Sequence, residues 1–234
     1  MNPSIFGKKY EKIVHNITKK STLNGNQFNT QNESQLGGCS NRNDIECNMN
    51  GIHDVIIEIK SNINSDYGQV SLKRKTDYNI WETNPNSKMS KNATNQINKY
   101  LETNTIFNNK IPNFMLNKKI TKEEWREEKK EGNFKDHRFE LEDENILNEI
   151  LNKNDYIQIK NRGLYHITED KCCLGTSQLK LKTECRIRCK VHETTPYIRG
   201  SITASIKPIN TKNLKKSQYS LDNKDKLPPN LIYI

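Results

Sequence analysis

Long apolar runs are missing from this sequence. No stretch approaches the ~20 consecutive apolar residues of a membrane-spanning helix, so no membrane partner is expected. The opening residues, MNPSIFGKKYEKIVHN, lack the apolar centre of a secretory signal. An intracellular, cytoplasmic location is expected. Glycine-rich phosphate loops, a dinucleotide-binding fingerprint, a Gly-x-Ser-x-Gly elbow and internal repeats are also missing. That sets aside the chemistries those motifs carry. Paired Cys-x-x-Cys spacing is absent, although there are six cysteines: Cys39, Cys47, Cys172, Cys173, Cys185 and Cys189. In a reducing compartment they stay as thiols. The run Cys172-Cys173…Cys185-x3-Cys189-x2-His192 invites a zinc reading, but its spacing is not that of a standard site. Cys185 and Cys189 read instead as small core residues on a strand, with His192 on the opposite face from Cys189.

What is present is polarity and positive charge. Hydrophobic residues make up only 32% and mean hydropathy is −0.96. Roughly one residue in seven is asparagine, well above ordinary usage. Asn, Lys and Ile all follow AT-rich codons, which accounts for part of this bias. The formal charge of +10 and pI near 9.2 still favour an anionic partner such as nucleic acid. The 234 residues suffice for one large domain or a core with an appendage.

Residues 6–20 carry Phe6, Tyr10, Ile13, Val14 and Ile17 at helical spacing. Residues 21–43 are rich in Asn, Ser, Thr, Gln and Gly and read as a loop. A β-hairpin follows over about 43–60, then a turn over 61–65. Asp66-Tyr67-Gly68-Gln69 has the form of a capping box, with Asp66 as N-cap, opening a helix over about 67–75. A weak helix is expected near 92–101. Thr121-Lys122-Glu123-Glu124 is a better capping box, and Gly132 closes the helix it opens. A further short helix spans about 144–152. Residues 156–207 hold four strand-like runs, YIQIK, LYHIT, ECRIRCKVHE and YIRGSITASIKPI, the first two joined through Asn161-Arg162-Gly163. From about 211 the tail reads as loosely ordered until 231–234.

The chemistry concentrates in NDIECNMNGIHDVIIEIK, residues 43–60. Strand alternation puts Val55, Ile57 and Ile59 on one buried face, and Asp54, Ile56, Glu58 and Lys60 on the other. Glu58 and Lys60 thus stand about 7 Å apart along one strand. With one more acid they form a metal-dependent phosphodiesterase site. Two carboxylates hold a hard cation such as Mg²⁺, and the ammonium acts on the attacking water and on phosphate charge. Asp54 lies roughly 13 Å from Glu58 along the strand, too far to share an ion. Asp44, on the partner strand, can face Glu58. A two-residue Asn50-Gly51 turn would pair Asp44 with Ile57, so the facing register needs a loop of odd length or a bulge. Glu46 shares Asp44's face and is the reserve ligand.

Asp44, thirteen residues, then Glu58-Ile59-Lys60 resembles the PD-(D/E)xK nuclease superfamily. Gly7-Lys8-Lys9-Tyr10-Glu11 is similar to that family's early helical glutamate. Ser40-Asn41-Arg42-Asn43 before the acid and Asp66-Tyr67-Gly68-Gln69 after the lysine look like loops of type II restriction enzymes. The family's proline before the first acid is replaced here by Asn43. The likeness covers about residues 7–75. It implies a mixed β-sheet flanked by helices, an α/β (α+β) restriction-endonuclease-like core, with a β-rich C-terminal part. It implies Mg²⁺ held by Asp44 and Glu58, Lys60 acting on water, and Glu11 and Gln69 assisting.

In ECRIRCKVHE, Cys185, Ile187, Cys189 and Val191 alternate with Arg186, Arg188, Lys190 and His192. The next run sets Tyr197, Arg199 and Lys207 against Ile198, Ile202, Ala204 and Ile206. Arg186, Arg188, Lys190 and Arg199 are therefore the expected DNA contacts. The expected organisation is a nuclease core over 1–120 and a helical connector with a β-rich part over 121–234, in one continuous domain. The expected function is Mg²⁺-dependent cleavage of double-stranded DNA as a type II restriction endonuclease. By family analogy the enzyme is a homodimer with a companion DNA methyltransferase. A repair or junction-resolving nuclease of the same fold, and a non-catalytic DNA-binding protein, are the alternatives.

Overall fold

The computed structural model describes residues 3–30, 44–48, 54–75, 80–116, 118–193 and 196–234. In chain order the first elements are α1 (Pro3–Thr18), β1 (Ser21–Leu23), β2 (Asn26–Thr30), β3 (Ile45–Asn48) and β4 (Asp54–Lys60). Next come β5 (Gly68–Lys75), β6 (Ile80–Thr83), α2 (Lys91–Thr103), α3 (Lys122–Lys130), β7 (His137–Glu140) and α4 (Ile146–Ile150). The chain then runs through β8 (Tyr156–Ile159), β9 (Gly163–His166), β10 (Thr183–Glu193), β11 (Ile198–Pro208) and β12 (Leu231–Tyr233). The fold is mixed α+β with two sheets. Among the described residues no helix is long and apolar enough to cross a membrane.

The chain forms two compact units, interleaved in sequence. The first takes residues 1–65, 151–181 and 210–234; the second takes 66–150 and 182–209. The division therefore does not fall at residue 120. It follows strand pairing between residues far apart in sequence.

The first unit holds a seven-stranded sheet, β12-β1-β2-β3-β4-β8-β9. Every neighbouring pair is antiparallel except β4 and β8, which are parallel. Asn24 and Gly25, both at positive φ, turn β1 into β2. Residues 21–30 are thus a hairpin, not the loop their polarity suggests; Asn-Gly is the turn that a two-residue hairpin favours. Tyr10 and Val14 of α1 bury with Leu23, Phe28, Ile45, Val55, Ile57 and Ile59. The stripe expected on α1 is only half used, because Phe6 and Ile13 remain exposed.

The tail is more ordered than its composition suggests. Gln158 Nε2 donates to Tyr10 Oη and to Ser220 Oγ, both at 2.9 Å. Tyr10 Oη donates to Asp222 at 2.7 Å, and Leu221 N–H donates to Gln158 Oε1 at 2.9 Å. This buried polar network ties residues 220–222 to α1 and β8.

The second unit has an antiparallel five-stranded sheet, β6-β5-β11-β10-β7. Its apolar face, Val70, Leu72, Cys185, Ile187, Ile202, Ala204 and Ile206, packs with Ile97, Leu101, Trp125 and Ile146 of the helices. Ser90 caps α2 by accepting from Ala93 N–H at 3.1 Å. Thr121 and Glu124 form the full capping box on α3. The helix expected over 67–75 is instead strand β5. Val70 and Leu72 point into the core while Ser71 and Lys73 point out, a period of two that wins over the local capping pattern. Asp66 accepts from Arg188 Nη2 at 2.9 Å rather than capping a helix.

Candidate active site

The acids come together through the β3–β4 register. Ile45 faces Ile57, Glu46 faces Ile56, Cys47 faces Val55 and Asn48 faces Asp54. One step further, Asp44 stands across from Glu58. The connection between Asn48 and Asp54 has odd length, as the facing register requires; its Asn50-Gly51 and His53 lie outside the described residues. The C=O of Ile56 and of Lys60 both serve the β8 side, accepting from Asp155 N–H and Lys160 N–H. The N–H of Ile59 therefore points toward β3, and Asp44 Oδ2 accepts it at 2.7 Å. That bond pins the carboxylate at the end of the ladder.

Glu58 and Lys60 form an ion pair at 2.7 Å, with side chains only 23% and 19% exposed. Both lie on the face opposite Val55, Ile57 and Ile59, whose side chains fill the core. Glu11 is half-buried on α1. A methyl group added at Gly7 would stand 3.9 Å from both Glu11 Oε1 and Ser61 Oγ, so this carboxylate lies beside the residue that follows Lys60.

The electrostatics of Asp44 summarise the cluster. Its pKa is pushed up to about 7, first by burial, then by the negative charge of Glu58, with a smaller push from Glu11. The Ile59 N–H and the Lys60 ammonium act in the opposite sense. Acids near Asp44 thus outweigh the one ammonium, and near neutral pH Asp44 is protonated about half the time unless a cation joins the cluster. Among the described residues no three Cys, His or acid side chains already converge as a cage. The donors are carboxylate oxygens, the chemistry that Mg²⁺ prefers, and water and phosphate complete such a shell. Asp44 and Glu58 fit that role. Glu46, facing Ile56 two residues from Asp44, lies on the same face.

Gln69 lies in the second unit on β5, exposed, accepting from Lys190 Nζ at 3.3 Å. The first unit itself brings together Asp44, Glu58, Lys60 and Glu11. Ser40-Asn41-Arg42-Asn43 and Cys39 lie outside the described residues.

In the second unit, Arg186, Arg188 and Lys190 share the polar face of β10, and Arg199 extends that face on β11 opposite His192. Much of this charge is already matched. Arg186 engages Asp136 through Nε at 2.7 Å and Nη2 at 2.5 Å. Arg188 reaches Asp66, and Arg138 reaches Glu184. Thr203 and Ser205, on the same face, are buried; their alternation in SITASI was the available signal for them.

Among the described residues no Cys and His side chains converge as a metal site. Cys172 and Cys173 belong to the first unit, Cys185 and Cys189 to the second. Cys185 sits in the apolar core. Burial pushes Cys189 up to about 12 and Cys47 up to about 11, so these thiols stay protonated. No protein-family model, no curated protein and no solved structure matches this chain.

Proposed function

We propose that this chain is a Mg²⁺-dependent endonuclease acting on double-stranded DNA, of the restriction-endonuclease-like fold and used for sequence-specific restriction. One observation carries the reading: Asp44 is pinned by Ile59 N–H beside the Glu58–Lys60 pair, with its pKa lifted to about 7. Carboxyls lifted by burial and by neighbouring acids are concentrated at functional sites. A mixed sheet with α1 on one face and the acids on its central hairpin is compatible with that core.

Asp44 and Glu58 are the residues that would hold the divalent cation. Once bound, it supplies Lewis acidity and a water that ionises near neutral pH. Ile59 N–H holds Asp44 Oδ2, and the other oxygen would be the one to take the cation. Lys60, next to Glu58, orients the attacking water and offsets charge developing on the phosphate. Glu11 accepts a hydrogen bond from water at the rim. Arg188, Lys190 and Arg199 place the backbone phosphates. Cutting both strands calls for two such sites, hence a homodimer, and a companion methyltransferase would protect host DNA.

A second reading comes from the Glu58–Lys60 ion pair itself. An acid matched by its own lysine is also what a non-catalytic DNA-binding protein could carry. Unmethylated phage DNA incubated with the protein in Mg²⁺ or EDTA, beside Lys60→Ala, separates the two. Discrete Mg²⁺-dependent fragments, lost in the variant, are the expected result. A gel shift without cleavage would leave the binding protein. Cleavage of branched but not linear DNA would select a junction-resolving enzyme.

A further inference from the structure

The two parallel strands of the first sheet end in turns that hold one lysine-rich segment. Lys60 of β4 pairs with Ile159 of β8. Beyond Lys60 the chain turns, with Ser65 N–H donating to Asn62 C=O at 3.1 Å. Asn64 in that turn accepts from Thr211 Oγ1 at 3.0 Å. Beyond Ile159 the chain also turns, with Arg162 N–H donating to Ile159 C=O at 3.0 Å. Arg162 Nη1 donates to Leu214 C=O at 2.9 Å, and Ser217 N–H donates to Arg162 C=O at 2.8 Å. The buried Tyr165 of β9 donates to Lys215 C=O at 2.6 Å. Residues 211–217 are thus tied to the turns that follow Lys60 and Ile159, at the end of the sheet where the Glu58–Lys60 pair stands.

We propose that this segment is a DNA-binding flank of the acid cluster, with Lys212, Lys215 and Lys216 on the backbone phosphates of the duplex. The proposal rests on the reading of this chain as a DNA enzyme, and it names where the first unit holds its substrate. All three lysines are exposed, and among the described residues no acid pairs with any of them. The sequence holds no acid between Glu193 and Asp222. On β10, by contrast, Arg186 and Arg188 are already matched by Asp136 and Asp66. Asp44, Glu58 and Glu11 repel a phosphate backbone, and the Lys60 ammonium already faces Glu58. Charge acts over about 8 Å at physiological salt, so cations must stand near the end of β4 to offset that repulsion. The tethers bring this segment there. From Lys212 to Lys216 the chain spans at most about 14 Å, the axial length over which one duplex strand carries about four phosphates. An apolar or cationic partner would leave the three ammonium groups unanswered.

The test measures duplex DNA affinity of the full-length protein across a salt series in EDTA, so cleavage plays no part. The parent is compared with Lys212→Gln/Lys215→Gln/Lys216→Gln. A control variant, Lys91→Gln/Lys99→Gln/Lys129→Gln, removes the same charge from exposed lysines of the second unit. A thermal melt checks that both variants fold as the parent does. Cleavage in Mg²⁺ is measured separately.

The segment variant binds about 100-fold more weakly near 0.15 M salt, and its salt slope falls by about three. The control keeps the slope of the parent. In Mg²⁺ the segment variant raises KM with kcat little changed, because binding alone is lost. Parent-like affinity and slope in the segment variant, or an equal loss in the control, overturns the flank. If the parent still cuts DNA in Mg²⁺, the nuclease reading survives that outcome. A loss confined to the segment variant, in a parent that never cuts, upholds the flank as a DNA surface and overturns the nuclease reading instead. A parent that binds no duplex overturns both.

Discussion

Replacing Asp44 by asparagine should stabilise the resting protein at alkaline pH while removing its activity. The folded pKa of about 7 stands above the ~3.9 of an unfolded aspartate. The folded state therefore binds the proton more tightly. Between about pH 4 and pH 7 the folded protein holds more protons than the unfolded chain, so stability falls as pH rises through that window. Above pH 7 the loss is complete. Three pKa units at 1.36 kcal/mol each set a ceiling of about 4 kcal/mol. Asparagine keeps an oxygen for Ile59 N–H and drops the charge that Glu58 and Glu11 oppose. Its amide must still be buried, and that desolvation reduces the gain to about 1–2 kcal/mol.

The assay is urea unfolding of parent and Asp44→Asn at pH 5 and pH 8 in EDTA, read as the difference between them so that other titrations cancel. The difference should move by about 2.6 kcal/mol between the two, from favouring the parent by about 1 kcal/mol at pH 5 to favouring the variant at pH 8. Adding Mg²⁺ at pH 8 should offset most of it, because the cation stabilises only the parent. At ten times the dissociation constant that linkage is worth about 1.4 kcal/mol. A difference that does not change with pH would refute the reasoning, since no unfavourable charge at Asp44 would then exist.

Other perturbations follow from the same structure. Lys60→Ala should lower Mg²⁺-dependent cleavage at least about 100-fold with DNA affinity in EDTA unchanged, as gel shift and cleavage time courses would establish. Cleavage should have an acid limb near pH 7, because a proton on Asp44 competes with the cation; a pH–rate profile flat from 6 to 8 would contradict this. Gly163→Ala should cost about 2–4 kcal/mol. Its φ is +105 and the new carbon would lie 2.4 Å from the Tyr219 carbonyl oxygen; urea midpoints measure the loss. Tyr10→Phe should cost about 1–2 kcal/mol, because it removes the donor to Asp222 and the acceptor for Gln158. Faster proteolysis of the tail near 220 would accompany it.

Elements with strong periodicity were legible in the sequence. The stripe on α1, the alternation of Val55, Ile57 and Ile59, the two long strands β10 and β11, and the Thr121 capping box all rest on local patterns that tertiary contacts then reinforce. Where the sequence misled, a distant partner decided. Asp66 and Gln69 read as a helix cap, yet they answer Arg188 and Lys190, more than 100 residues away. The division into units was hidden for the same reason: β4 finds its parallel partner β8 only after the whole span 66–150. Residues 220–222 gave no periodic signal because one apolar side chain, Leu221, enters the core and a polar network holds it there. The β1–β2 hairpin reads as a loop in the sequence, because its strands are so polar that composition masks the Asn24-Gly25 turn. At the acid cluster the residues could be named in advance. The Asp44 bond to Ile59 N–H could not, because it depends on where the ladder ends.

Asp44 breaks a local rule: the fold buries this acid among other acids. That arrangement does not help the resting protein, and a cation would relieve it. Departures from local consistency concentrate at functional sites. Mg²⁺ should therefore raise the unfolding temperature by itself, and the effect should vanish with Asp44→Asn. A shift of equal size in that variant would mean that the cation binds elsewhere, and the role given to Asp44 would fail.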